Sequence, residues 1–460
     1  MLHRSSGILM PLSSLPSPYG IGTMGAPARR LVDFLAEAGQ RWWQLLPLVP
    51  MGEGGSPYMS CSAFAGEPLY LDLEDLFQQG LITREELDAQ RLDTPDRTDL
   101  PRLRALRMPL LHTAWMRARP TFQPDNFPWL EEYACFRARQ SGDPDEADFQ
   151  RFLQTLFFRQ WDGLREYARQ RGVLLMGDLP IYLAPDSAEV WAHPELFQLD
   201  SRGHLSAVAG VPPDAFSPTG QLWGNPLYDW EGHHAQVFSF WQQRIRWAAR
   251  MFDGVRIDHF RAFHTYWSVP AQAETAMEGR WLPGPGKALV DALRSAAPEL
   301  FLVAEDLGDL DADARAFLPA CSIPGMRVLT FAFDSGTENP YLPHNCPENS
   351  VAYTGTHDTP TFVQFLSEAA PAVRDFAFRY LRLREDEGLG WGALAGVWGC
   401  PSRLAIAPLQ DVLGLGRDAR MNTPGTVSPD NWSWRVRQEA LNCEVARRLR
   451  LLTETYGRLN

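Results

Sequence analysis

"FDGVRIDHF", residues 252–260, carries Val255 and Ile257 in alternation with Arg256 and Asp258. Side chains two apart on a strand share a face, so the apolar pair is expected against packed neighbours and the polar pair on the other side. A strand that is apolar along its length and ends on an acid is what a parallel sheet with a site at its C-terminal edge requires. Seven further short apolar runs recur along the chain: 7–12, 41–48, 172–182, 300–306, 327–333, 351–356 and 403–409. Helical stripes lie between them. Leu31, Phe34, Leu35 and Ala38 fall at i, i+3, i+4 and i+7, while Leu153, Phe157, Trp161, Leu164 and Ala168, and likewise Val237, Trp241, Ile245, Ala248 and Phe252, step by three or four. Eight strands with intervening helices predict an α/β chain folded as a (β/α)8 TIM barrel, with an open doubly wound sheet as the alternative. No GxGxxG follows the first strand to favour the latter.

Two connections are too long for simple crossovers, one after the second strand and one after the third. Residues 72–165 read as a helical insertion with a charged middle, and 185–235 as an irregular insertion rich in Gly, Pro and aromatics, expected to act as a binding loop or lid. The whole of 1–460 is expected to form one barrel with these two insertions, and no C-terminal β-domain is expected after the eighth strand.

The net charge of −13 argues against a nucleic-acid partner, which would need a basic stripe. No apolar run approaches the roughly 20 residues that cross a bilayer, and the N-terminal apolar run is cut short by prolines, so neither a membrane span nor a signal peptide is expected. The six cysteines form no CxxC and adjoin no His cluster, which points to reduced thiols in a cytoplasm and to no zinc site. Sixteen tryptophans offer flat faces suited to sugar rings, or to a Trp-rich core.

The expected strand ends bring four acids to one barrel mouth: Asp178, Asp258, Glu305 and Asp358. Singly, each has a structural reading. Asp258 could pair with Arg256, either Glu305 or Asp306 could cap the next helix, and Asp358 stands where a helix could start. Together they suit glycoside cleavage with retention, which needs a carboxylate nucleophile and a second carboxyl ~5 Å away serving as acid and then base. Arg256 would keep the nucleophile ionised.

In that order, "GVRIDHFRAF" (254–263), "LVAEDLG" (302–308) and "YTGTHDTPT" (353–361) resemble the amylomaltases, the 4-α-glucanotransferases or disproportionating enzymes of the α-amylase-like clan. So do "GILMPLSSLPSPYGIGTMG" (7–25), "SPYMSCSAFAGEPLYLDL" (56–73), "GDLPIYLAPDSAEVWAHPELF" (177–197), "GQLWGNPLYDW" (220–230), "PLQDVLGLG" (408–416) and "ARMNTPGTVSPDNWSWR" (419–435). The resemblance implies Asp258 as nucleophile, Glu305 as general acid/base and Asp358 as the acid that holds the distorted sugar. It places Arg256, His259, His357 and Asp178 around the nucleophile and sugar hydroxyls. Ser56, Tyr58, Gln221, Trp223, Asn225, Phe331, Asp334 and Asn422 match substrate-contacting positions. The implied substrates are maltooligosaccharides and other α-1,4-glucans, disproportionated into linear or cyclic products, and neither chemical step calls for a metal or cofactor. Three positions depart from the family pattern. Ala215 stands for a lid tyrosine, beside a retained Phe216; Glu67 replaces a common Asn; Asp430 replaces a frequent Gly. A plain glucan hydrolase and a catalytically silent glucan-binding protein remain the competing readings.

Overall fold

Twelve strands run in chain order among the described residues: β1 (Ser5–Leu9), β2 (Trp42–Gln44), β3 (Leu174–Leu179), β4 (Ala207–Val211), β5 (Gln221–Pro226), β6 (Gly254–Ile257), β7 (Thr265–Pro270), β8 (Arg280–Pro283), β9 (Phe301–Ala304), β10 (Gly325–Val328), β11 (Ser350–Tyr353) and β12 (Leu404–Pro408). The computed structural model describes residues 3–213, 217–308 and 311–459, without the side chain of Glu53, so Ala215 and Phe216 lie outside the described residues. Eight strands, each parallel to its neighbours, close into a barrel in the order β1-β12-β11-β10-β9-β6-β3-β2. Closure leaves none of them with an unpaired edge. These are the eight runs picked out above, and the chain is a (β/α)8 barrel.

The expected helical stripes are buried. Helix Ala26–Glu37 buries Leu31, Phe34 and Leu35, helix Glu146–Gln170 buries Leu153, Phe157, Trp161, Leu164 and Ala168, and helix His234–Met251 buries Val237, Trp241, Ile245 and Ala248. Helix Cys443–Thr455 reaches back to the first crossover, where the Gln40 amide donates to Thr453 Oγ1 (2.9 Å). Arg458, buried beyond that helix, donates to the carbonyls of Ser5 and Arg403 (2.9 and 3.2 Å) and so ties the chain end to the start of β1 and β12. Among the described residues no helix is long and apolar enough to cross a membrane.

Two expectations need correction. The stretch 185–235 is not irregular throughout: β4 and β5 form an antiparallel sheet with β7 and β8, in the order β5-β4-β7-β8. Half of that sheet comes from the connection after β6, which carries a third insertion that the sequence did not reveal. Its strands are short, Gly- and Pro-bearing and paired across distant insertions, so local composition hides them. The sixth barrel strand was expected over 327–333, but β10 ends at Val328 and the chain turns at once through Leu329–Phe331. A short apolar run does not distinguish a buried strand from a buried turn.

Register sets the site. Asp178 on β3 lies directly beside Arg256 on β6, and Ile257 on β6 lies beside Ala304 on β9. Asp258 and Glu305 therefore each follow one residue beyond a paired position, on adjacent strands. The ladder continues past them, with Asp258 N–H donating to Leu179 (3.1 Å) and Glu305 N–H to Ile257 (3.0 Å).

Candidate active site

Arg256 joins two acids. Its Nη1 donates to both oxygens of Asp178 (2.8 and 2.8 Å), and its Nη2 lies 2.9 Å from Asp258 Oδ1. The Asp178 side chain is wholly buried and that of Asp258 is 26% exposed. Exposure separates their parts: Asp178 anchors the guanidinium, while Asp258 reaches open space. A buried pair broken from one side leaves an uncompensated charge, at a cost of about 3–5 kcal/mol. Arg256→Ala is therefore expected to lower stability by an amount in that range, read by urea unfolding against the native chain; a loss under ~1 kcal/mol would show that Asp178 needs no cation.

Glu305 sits at the end of β9. Its Oε2 accepts from the backbone N–H of His259 (2.7 Å) and its Oε1 from that of Leu307 (3.0 Å). Burial pushes its carboxyl up to about 7; the Arg256 guanidinium and the two amides pull down, and neighbouring Asp258 pushes up. A substantial fraction is thus protonated near neutral pH. His259 holds the carboxyl in place through its backbone. It follows Asp258 with φ of 45°, the left-handed region a bulky residue rarely takes, and this turn aims its N–H at Glu305. Its ring stands edge-on to Trp223, centroids 4.9 Å apart, and burial pulls its pKa down to about 4. The imidazole is therefore neutral near pH 7, and the positive charge beside Asp258 comes from Arg256.

Asp306 does not cap the following helix, which Asp311 caps through Ala314 N–H (2.8 Å). It crosses to β10 instead, accepting from Met326 N–H (2.6 Å) and Arg327 (2.9 Å). A Cβ at Gly325 would stand 2.4 Å from its Oδ2, so only glycine lets the carboxylate approach. Glu305 is held from behind by this clamp.

Asp358 arrives on the loop after β11. Its Oδ2 lies 3.0 Å from His357 Nε2, its Oδ1 accepts from Asn422 (2.7 Å), and its backbone carbonyl accepts from Arg420 (2.9 Å). Burial works to raise its pKa, but His357 and Asn422 outweigh it and hold the carboxyl at about 2. The next helix, Phe362–Glu368, is capped by Thr361, so Asp358 is not a helix cap. Its side chain remains 39% exposed. His357 Nε2 also lies 2.9 Å from the Tyr58 hydroxyl, which donates to Asp178 Oδ2 (2.9 Å). Asp358, His357, Tyr58, Asp178, Arg256 and Asp258 thus form one continuous polar chain across the mouth.

The surrounding residues divide. Ser56 precedes Tyr58 in the loop after β2, and its hydroxyl accepts from Tyr58 N–H (3.3 Å). Gln221 and Trp223 share β5, with the indole N–H donating to Gln221 Oε1 (3.1 Å). Asn225 is buried, its amide donating to the Leu183 carbonyl (2.8 Å), so it fastens β5 to the loop after β3. Phe331 packs edge-on to Tyr341 (5.7 Å) and exposed Asp334 accepts from Asn339 (3.0 Å); no hydrogen bond among the described residues links this pair to the carboxylates.

Trp432, Glu67 and Asp430 had no individual role assigned from sequence. Trp432 rests against Tyr58 and His357 (5.8 and 5.9 Å between ring centroids) and is held at φ of 62°. Glu67 accepts from Met51 and Leu69 N–H (2.8 and 3.1 Å), with Arg104 at 3.7 Å, and so closes the neck of the loop that carries Ser56 and Tyr58. Asp430 is exposed and meets Arg97 at 3.4 Å, away from the carboxylates.

The arrangement holds one accessible acid beside a guanidinium, one carboxyl poised to exchange a proton near neutrality, and one strongly ionised acid facing them across the mouth. The profile of glycoside hydrolase family 77, described as 4-alpha-glucanotransferase, matches residues 10–144 and 138–441. The 4-alpha-glucanotransferase of Thermus thermophilus is 42% identical over 507 aligned positions that take in 100% of each chain. That of Solanum tuberosum, chloroplastic/amyloplastic, is 41% identical over 99% of this chain and 87% of its own. Among solved structures, the amylomaltase from Streptococcus agalactiae in complex with acarbose is 34% identical and superimposes with a TM-score of 0.93 over 99% of this chain and 100% of that one. With two-part coverage of most of its length and relatives of this identity from end to end, the chain belongs to glycoside hydrolase family 77, the 4-alpha-glucanotransferases.

Proposed function

We propose that this enzyme moves α-1,4-glucan segments between maltooligosaccharides by a double displacement that retains the anomeric configuration. The observation that carries the mechanism is the placement of Asp258 and Glu305 one residue past the paired Ile257 and Ala304, with Asp258 beside Arg256 and the Glu305 carboxyl raised by burial to about 7. A carboxylate oxygen of Asp258 attacks the anomeric carbon while the bond from that carbon to the leaving oxygen breaks; the Glu305 proton passes to that oxygen. A glycosyl ester on Asp258 and a shortened glucan result. Glu305, now ionised, takes the proton of an acceptor 4-hydroxyl as its oxygen attacks the same carbon, and Asp258 leaves as a carboxylate. Two inversions amount to retention. Asp358, ionised and fixed by His357 and Asn422, binds sugar hydroxyls more tightly as the ring flattens toward the transition state.

Transfer prevails over hydrolysis when an acceptor sugar occupies the site in place of water. The Trp223 face of β5 and the 420–434 segment, with Trp432 against Tyr58, are the surfaces we assign to that acceptor. The acarbose complex of the S. agalactiae relative supports a glucan substrate. A cytoplasmic location is in keeping with the six cysteines, each of which is a free thiol.

Incubation with maltotriose tests the reaction class. Glucose is expected together with a ladder of longer maltodextrins, and total reducing ends are expected to stay constant, because each transfer creates one and removes one. Reducing ends rising in step with cleavage, with no chain longer than the donor, would make the protein a hydrolase.

A further inference from the structure

A buried acid outside the catalytic set holds both ends of the loop that carries Asp358. Asp411 lies in the first turn of the short helix Leu409–Val412, directly after β12, and is wholly buried. Its Oδ2 accepts from the hydroxyl of Thr354 (2.5 Å), where β11 ends, and its Oδ1 from the backbone N–H of Phe362 (2.7 Å), where the next helix begins. His357 and Asp358 lie between these two points. Within the loop, Thr359 Oγ1 accepts from Thr356 N–H (2.8 Å) and Thr361 caps the helix through Gln364 N–H (3.2 Å), so the segment is braced internally as well.

The chemistry of Asp411 is unusual for a packing residue. A buried carboxylate is costly unless paired, yet its partners here are a hydroxyl and an amide, and no arginine or lysine is among the groups acting on it. Burial raises its carboxyl to about 6. What a carboxylate offers at this point is geometry: two acceptors in one rigid fork, able to gather two donors from opposite ends of a loop.

We infer that Asp411 is a positioning residue for transfer, fixing the loop 354–362 so that Asp358 meets the sugar at the transition state. The inference rests on the role proposed above for Asp358. Arg420 and Asn422 hold Asp358 from one side, and Asp411 holds the backbone that delivers it. A displacement of about 1 Å at a catalytic group can cost ~100-fold in rate.

The test is a double-mutant cycle of Asp411→Ala and Asp358→Asn, assayed with α-maltosyl fluoride as donor and maltose as acceptor, with thermal unfolding followed in parallel. Alone, Asp411→Ala is expected to lower kcat ~50–100-fold with KM within ~3-fold of the native value. In the Asp358→Asn background it is expected to cost less than ~3-fold more, since the group it positions is already lost. Asp411→Asn keeps the acceptor for Phe362 N–H and can donate to Thr354 Oγ1, so it is expected to recover kcat to within ~5-fold of native. Equal losses from Asp411→Ala in both backgrounds, or a loss confined to KM, would overturn the inference while leaving the role of Asp358 intact. Near-native activity of Asp358→Asn alone would overturn that role, and the inference with it. Should Asp411→Ala not fold, the cycle is run with Asp411→Asn, whose smaller loss must likewise vanish in the Asp358→Asn background.

Discussion

Asp258→Asn is expected to lower kcat for maltotriose disproportionation by at least ~10⁴-fold while leaving KM nearly unchanged, because the amide fills the same space but forms no ester with the anomeric carbon. The fold is expected to survive. Arg256 keeps both of its bonds to Asp178, so the substitution removes a partly exposed carboxylate rather than a buried one. Initial rates of glucose release, compared with unfolding midpoints, check this. A residual rate above ~1% of native would assign the nucleophile to another residue.

Glu305→Gln is expected to be the next most damaging change, with ~10³-fold loss on maltotriose, where the leaving sugar oxygen needs a proton. The loss should shrink for the first step on a glycosyl fluoride, since fluoride departs without one. The pH profile supplies a second signature. Glu305 must be protonated for the first displacement and its carboxyl sits at about 7, so activity is present below that value and falls as pH rises through it. On a glycosyl fluoride, whose departure needs no acid, this alkaline limb should vanish from the first step of the native enzyme. Its persistence would place the titrating acid elsewhere.

The barrel was legible because parallel strands buried on both faces are written as continuous apolar runs, and the acids because each falls at or just beyond the C-terminal part of such a run. What stayed hidden depends on pairing or backbone direction rather than side-chain type. Nothing in "HF" at 259–260 announces that His259 turns left-handed and offers its N–H, rather than its ring, to Glu305. Asp306, next to Glu305, reads as a helix cap until Met326 and Arg327 of β10 are seen to donate to it. The β4, β5, β7 and β8 sheet draws its strands from two insertions separated by helix His234–Met251, a pairing no local window contains. Asp411 and Glu67 have no role that the sequence assigns, and only their burial against backbone amides shows them holding loops of the site.

The central claim is the covalent step on Asp258, and trapping it is the most direct measurement. Glu305→Gln incubated with α-maltosyl fluoride should form the glycosyl ester, which needs no acid, and hold it, because no base remains to activate an acceptor. Mass spectrometry of the intact protein should show one added maltosyl unit, and peptide mapping should place it on the segment containing Asp258. An adduct on another residue, or a native-enzyme product with inverted anomeric configuration, would contradict the mechanism.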